Sequence, residues 1–433
     1  MASVKVTITG LGHEGEGVGR VDGKATFVAG ALPGETVLTE IRQQKKNFQR
    51  GELREVLEAA PERINPPCPV FGRCGGCQVQ QLEYQATLNW KRQKVQDALV
   101  RLGKLEQVEV SPVLGMPEPW RYRNKVQLHV GERSGSIQLG YYGHNTNRLV
   151  AFDDCLLLPQ RFNALKARLE IFFRENGVKP QQVQQVVIRN SPVTGELMVG
   201  IIGVLPPLPW QEIRRDFPEL KSLVVVDPVS GKPKLAAGQA VINDVIYDNQ
   251  FAISFASFVQ VNPGQTKALY AKVLEYANLQ GQEVVLDAYC GIGTITLALA
   301  QQARWVIGVE VAPEAIADAR ANATANKIPN VEFHAATAEE LLPQLAAQKL
   351  KVDVVVVDPP RKGCEREVLD AIGKLGPKRL VYVSCDPATL ARDLGVMQEL
   401  GYVTVGVQPV DMFPWTAHVE TIIMMTNCGQ NKK

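Results

Sequence analysis

No hydrophobic run in this 433-residue sequence exceeds the length of a strand; Val354–Val357 is typical of the longest. A membrane-spanning helix needs about 20 apolar residues, so no membrane partner is expected. Met1–Gly10 lacks the apolar core of a signal peptide, and a cytoplasmic location is expected. A disulfide framework is equally unsupported, because eight cysteines without a secretion signal read as metal ligands, nucleophiles or small core residues. Charge of one sign is also lacking: the net charge is +2, which by itself announces no polyanionic partner.

Local features say more. Arg42, Lys45, Lys46, Arg50 and Arg54 are interrupted by one acid, Glu52, and Trp120–Lys125 mixes aromatic rings with cations. Such mixtures suit phosphate contact and base stacking, although solvated charged faces look the same. Residues 1–60 alternate apolar and polar residues between glycines, which predicts a small β-barrel. Residues 61–257 read as an α+β region. They open with a cysteine loop and a helix over 81–102, whose buried stripe is Leu88, Val95, Leu99 and Leu102. From residue 258 to 433, continuous apolar strands alternate with helices, the pattern of a doubly wound, mostly parallel sheet.

The first strand of that last region ends in Asp287-Ala288-Tyr289-Cys290-Gly291-Ile292-Gly293. Glycines at a strand end let the backbone turn sharply beside a ligand. The third glycine of the dinucleotide fingerprint is missing, since Thr296 stands there. Glu310 ends the next strand, where an acid can accept hydrogen bonds from ribose hydroxyls, and Asp358-Pro359-Pro360 ends a later one. The three elements together resemble Rossmann-like methyltransferases that bind S-adenosylmethionine. Amino-group methyltransferases follow the D-P-P with an aromatic ring, whereas Arg361 and Lys362 follow it here.

The remaining question is which atom is methylated. Uracil C5 is a poor nucleophile until a thiolate adds to C6, and a base must then remove the C5 proton. Cys385, ending a fourth buried strand just before a helix, offers the thiol, and the helix dipole there favours thiolate. Glu420 offers the base. Cys364 is the rival nucleophile, in a charged loop, while Cys290 and Cys428 read as inert core thiols. Cys68, Cys74 and Cys77 share one Gly-rich loop, and Cys155 is a distant fourth thiol. The spacing leaves both an iron–sulfur cluster and zinc open, leaning to the former.

Phe258-Val259-Gln260-Val261-Asn262, the glycine turn, Asp358-Pro359-Pro360-Arg361, Ser384-Cys385-Asp386-Pro387 and His418-Val419-Glu420-Thr421 together resemble the RNA uracil-C5 methyltransferases. The resemblance implies that Cys385 adds to C6 and that Glu420 takes the C5 proton. It places Gln260, Tyr289, Glu310 and Asp358 around the cofactor and target base. It also implies a TRAM-like RNA-binding barrel over 1–60 and helix 81–102 packed on the catalytic domain. A [4Fe–4S] cluster on Cys68, Cys74, Cys77 and Cys155 is the pattern of the ribosomal-RNA branch. The expected partner is therefore RNA, with 23S ribosomal RNA favoured and transfer RNA the alternative; no obligate protein partner is inferred. An RNA cytosine-C5 methyltransferase, which places Pro-Cys in the loop held here by Asp358-Pro359-Pro360, and a non-catalytic RNA-binding protein are the rival readings.

Overall fold

The computed structural model describes residues 3–429. Five strands, β1 (Ser3–Leu11), β2 (Gly17–Val21), β3 (Lys24–Ala29), β4 (Thr36–Gln44) and β5 (Phe48–Glu58), close into a barrel in the order β1-β2-β3-β5-β4. Its core is small: Val6, Ile8, Val28, Ala31 and Val37. Closure demands close strand approach, and a Cβ at Gly19 would run into the Thr7 carbonyl.

The chain then makes an irregular cysteine loop and helix α1 (Tyr84–Arg101). A seven-stranded sheet follows, built from β6 (Lys125–Arg133), β7 (Ser136–Tyr142), β8 (Leu149–Ala151), β9 (Val183–Asn190), β10 (Leu197–Gly203), β11 (Leu220–Val226) and β12 (Pro233–Gly238). Helix α2 (Gln160–Glu175) covers it with Phe162, Leu165, Leu169, Phe172 and Phe173. Helix α3 (Gln211–Asp216) adds Ile213 to the same core. The hairpin of β13 (Val241–Ile246) and β14 (Asn249–Ser254) leads into the last region.

That region holds α4 (Pro263–Ala277), β15 (Val284–Ala288), α5 (Thr294–Ala300), β16 (Trp305–Glu310), α6 (Pro313–Ala325), β17 (Val331–Ala335), α7 (Ala338–Ala347), β18 (Val354–Val357), α8 (Arg366–Leu375), β19 (Arg379–Ser384), α9 (Pro387–Glu399), β20 (Tyr402–Val410) and β21 (Glu420–Asn427). The sheet order is β17-β16-β15-β18-β19-β21-β20. Strands β15 to β19 are mutually parallel, and β21 and β20 close the edge antiparallel. All four valines of β18 are fully buried, alternately facing two separate cores. Continuous apolar strands arise because helices cover both faces. Val95 and Leu99 of α1 lie in one of those cores, beside Leu390 and Leu394 of α9. Among the described residues no helix is long and apolar enough to cross a membrane.

Candidate functional site: the crevice at the sheet's carboxyl edge

Strand register brings the candidate residues together. Ala288 pairs with Val357 and Val357 with Tyr382, so Tyr289 and Asp358 leave their parallel strands at one edge, and β19 ends two residues further on at Ser384, just before Cys385. Ser384 pairs with Thr421 of antiparallel β21. The next residues outward, Cys385 and Glu420, therefore face each other across the strand ends. Two residues 35 positions apart in sequence meet because an antiparallel strand was added to a parallel sheet.

The electrostatics record this proximity. Glu420 is 4% exposed; burial, then the charge of Asp358, push its carboxyl up to about 8, against the pull of Arg361. Burial and then the Glu420 charge push the Cys385 thiol up to about 11, with Arg361 again opposing. The expectation of a dipole-activated thiolate is thus not met in the resting protein. Asp386 caps α9 instead, accepting from the Ala388 and Thr389 amides at 2.8 and 3.1 Å. Its carboxylate, not the thiol, takes the free N–H groups.

A neighbouring cavity of about 40 Å³ is lined by Gln260, Tyr289 and Asp358, together with Tyr270, Asp287, Gly291 and Thr294. Burial pushes Asp358 up to about 7. Asp287 also rises to about 7 through burial, countered by the Thr296 hydroxyl, which donates to it at 2.6 Å. Glu310 does not line the cavity; it accepts from the Gly291 amide at 3.2 Å and the Ala312 amide at 3.0 Å, bracing the glycine turn. Gly293 has φ +85°, and non-glycine Tyr289 has φ +67°. A tyrosine in the left-handed region carries strain that clusters at ligand sites. This pocket, carboxylates beside a glycine turn at a helix start, fits a cofactor with ribose hydroxyls and a cationic sulfonium.

Several residues that build the site carry no motif. Tyr270 Oη and Thr294 Oγ1 are 2.6 Å apart at the cavity wall. The segment 411–419 that leads into Glu420 is pinned from three directions. Lys91 of α1 pairs with Asp411 at 2.5 Å and donates to the Phe413 carbonyl, and Tyr84 also donates to Asp411. Lys94 donates to the carbonyls of Ala417 and of His13 in the barrel, at 2.7 and 2.9 Å. The Gln78 amide donates to the Trp415 carbonyl at 3.0 Å. Burial first, then Arg361 and the two lysines, push His418 down to about 4, so it is neutral. Lys91 stands between Leu88 and Val95 on the apolar stripe of α1, and a cation in that stripe was the available signal.

Three further expectations change. Cys364 is 4% exposed, its amide donating to Asp393 at 2.8 Å, and burial pushes its thiol up to about 12. It is a held core thiol and not a mobile rival. Cys428, read as a core residue, is exposed at the end of β21, whereas Cys290 is buried. The Trp120–Lys125 cluster is not a free RNA-binding face. Trp120 stacks on Trp415 at 4.4 Å, Arg121 pairs with Asp154, and Tyr122 is buried, donating to the Pro414 carbonyl. Asn124 donates through its side chain to the Gln260 carbonyl, and its amide to that of Val261.

The iron–sulfur loop is not formed as a metal centre: among the described residues no group of three or more His, Cys, Asp or Glu could hold a metal ion. Cys68, Cys74, Cys77 and Cys155 do line one cavity, of about 30 Å³. Burial pushes Cys77 up to about 12 and Cys155 up to about 11, so both keep their protons unless a metal displaces them. Three buried polar atoms of residues lining the same cavity lack partners: Gln80 Oε1, Arg123 Nε and Tyr141 Oη. Buried polar groups are rarely left so. The four thiols around one space are the donor set a soft metal would need, although they do not stand in metal-holding geometry here.

A small barrel joined to a parallel sheet with acids and a thiol at its carboxyl edge defines a Rossmann-like methyltransferase with an accessory module. Residues 83–428 match the tRNA (Uracil-5-)-methyltransferase family, and residues 2–53 match the TRAM domain. An uncharacterized RNA methyltransferase of Halalkalibacterium halodurans is 46% identical, covering 98% of this chain and 96% of its own length. One from Listeria innocua is 40% identical, covering 98% and 97%. The Pyrococcus abyssi tRNA (uracil-54, C5)-methyltransferase, solved with S-adenosyl-L-homocysteine, superposes with a TM-score of 0.79 at 26% identity, covering 98% of this chain and 100% of that one. The chain belongs to the RNA uracil-C5 methyltransferases and carries a TRAM domain. It is an S-adenosylmethionine-dependent enzyme acting on RNA.

Proposed function

We propose that Cys385 is the nucleophile and Glu420 the base that removes the C5 proton. The register pairing Ser384 with Thr421, which sets the two across from each other, is the observation that carries the reading. Cys385 gives its proton to solvent and adds through Sγ to C6 of the flipped-out uracil as the C5–C6 π bond opens, and the resulting enolate attacks the methyl carbon through C5. Gln260, Tyr289 and Asp358, with Glu310 bracing the glycine turn, would hold S-adenosylmethionine, which would supply the methyl group and leave as S-adenosylhomocysteine. Glu420 then takes the C5 proton and the C6–S bond breaks. Arg361, the cation that opposes the rise at both groups, favours their charged forms. Cys385→Ala is expected to abolish methylation while binding S-adenosylmethionine as tightly as the wild type. Glu420→Gln is expected to accumulate a protein–RNA adduct that survives denaturing gels. Normal turnover by either variant contradicts the assignment.

The substrate we favour is a transfer RNA, because the relative aligned over its full length acts on tRNA uracil-54. The four-cysteine pattern supports the second reading, 23S ribosomal RNA. Methylating transfer-RNA and 23S transcripts with labelled cofactor, then mapping 5-methyluridine, separates them. Residues 1–60, 61–257 and 258–433 act in this reading as RNA-binding barrel, cysteine-bearing central domain and catalytic domain. The four thiols would hold a [4Fe–4S] cluster that organises the 411–419 surroundings and takes no part in methyl transfer.

A further inference from the structure

Arg123 lines the four-cysteine cavity, and its Nε is sealed from solvent without a partner. Among the described residues no carboxylate pairs with its guanidinium, whose side-chain partner is the neutral Tyr122 hydroxyl, so the cation meets no counter-charge. Two positions earlier the chain does the opposite. Arg121, half-exposed, is matched with Asp154 and donates to the Cys155 and Leu158 carbonyls. An acid thus stands beside Arg121 and none beside Arg123, whose Nε is sealed. A buried guanidinium without counter-charge is costly. What faces it instead is a set of four thiols, each of which becomes an anion on binding a metal. Zinc or a [4Fe–4S] core held by four thiolates carries net negative charge, and no other anion source lines the cavity.

We propose that Arg123 is the counter-charge of the cysteine-ligated iron–sulfur centre in this cavity, a role that rests on the cluster reading above. The cation offsets the negative charge of the loaded site. It also favours the reduced cluster, which holds one more electron than the oxidised one. Tyr141 Oη and Gln80 Oε1, orphaned on the same walls, complete the polar surround.

The test uses the full chain, reconstituted anaerobically with iron and sulfide, as wild type, Arg123→Met and Arg123→Lys. Iron and sulfide per chain are measured first, then the cluster's midpoint by titration with dithionite. Wild type and the lysine variant are expected to load about four irons. The methionine variant is expected to show a reduced-to-oxidised ratio about tenfold lower at a fixed potential, about 59 mV for one electron. A fully loaded methionine variant that titrates with the wild type overturns the proposal. Should methionine prevent loading, the lysine variant decides: loading like wild type supports a charge role, and loading as poor as methionine overturns it. Wild-type protein that takes up no iron and sulfide removes the cluster reading itself, and does so before any substitution is made.

Discussion

At the residue scale, the site pairs a protonated thiol with a protonated carboxyl. Both rise chiefly because they are buried, and neighbouring carboxylates add to the rise: Glu420 raises Cys385, and Asp358 raises Glu420. In the proposed mechanism such an arrangement would keep the Cys385 thiol protonated until RNA arrives, since a free thiolate would oxidise or alkylate. It also fixes a pH dependence. A base whose pKa is raised is competent only above that value, so kcat/KM for RNA is expected to climb with pH through about 8, the value of the free enzyme's Glu420. Cys385, raised to about 11, must also lose its proton, so the profile is expected to keep climbing above pH 8 and not to level off there. A pH–rate profile flat from pH 6 to 9 contradicts this account. Cys385 and Glu420 could be singled out in the sequence because the proposed reaction calls for a thiol and a base, and the strand register brings the two together. Their states were not, because Asp386 takes the helix N-terminus and desolvation is a property of the folded site.

At the element scale, the reading of alternating apolar strands and helices transfers well to β15, β16, β18 and β19, where both faces are covered and burial is nearly uniform, but not to β17 at the sheet edge, where only Phe333 is buried. What it missed is the antiparallel pair β20 and β21, since four or five apolar residues read alike in either direction. It also missed how α1 holds the segment 411–419. The Lys91–Asp411 pair is fully buried, and removing one partner of such a pair costs about 3–5 kcal/mol. Lys91→Met is therefore expected to lower the unfolding free energy by that order, with Lys91→Met/Asp411→Leu recovering most of it. Chemical denaturation measures both, and a single variant as stable as wild type refutes the role. Because the same segment ends at Glu420, the damaged single variant is expected to lose methylation even where it remains folded.

At the scale of the whole molecule, the barrel is tied to the body by two side chains, one of which, Lys94, also holds the segment before Glu420. Arg63 bonds Glu35 and the Gly30 carbonyl of the barrel, and Lys94 joins His13 to the segment before Glu420. The basic run 42–54 was read as a single patch, yet Arg42 and Arg54 are engaged by Glu40 and Glu52, acids set beside them by strand pairing. Lys45 and Lys46, at the exposed turn between β4 and β5, keep their charge toward solvent. Replacing both with glutamine is expected to weaken RNA binding and to lower the slope of log affinity against log salt by about 2. An unchanged slope assigns the RNA contact elsewhere. The order of the three regions could be read along the chain, but not which cations face outward, because that depends on cross-strand neighbours.

The pairing of Cys385 with Glu420 is tested most directly by RNA carrying 5-fluorouridine at the target, because fluorine at C5 cannot leave as a proton does and the thiol stays bound. Digesting the trapped complex and sequencing the cross-linked peptide by mass spectrometry is expected to find one methylated 5-fluorouridine on Cys385. A cross-link on Cys364, or methylated product released without any adduct, contradicts it.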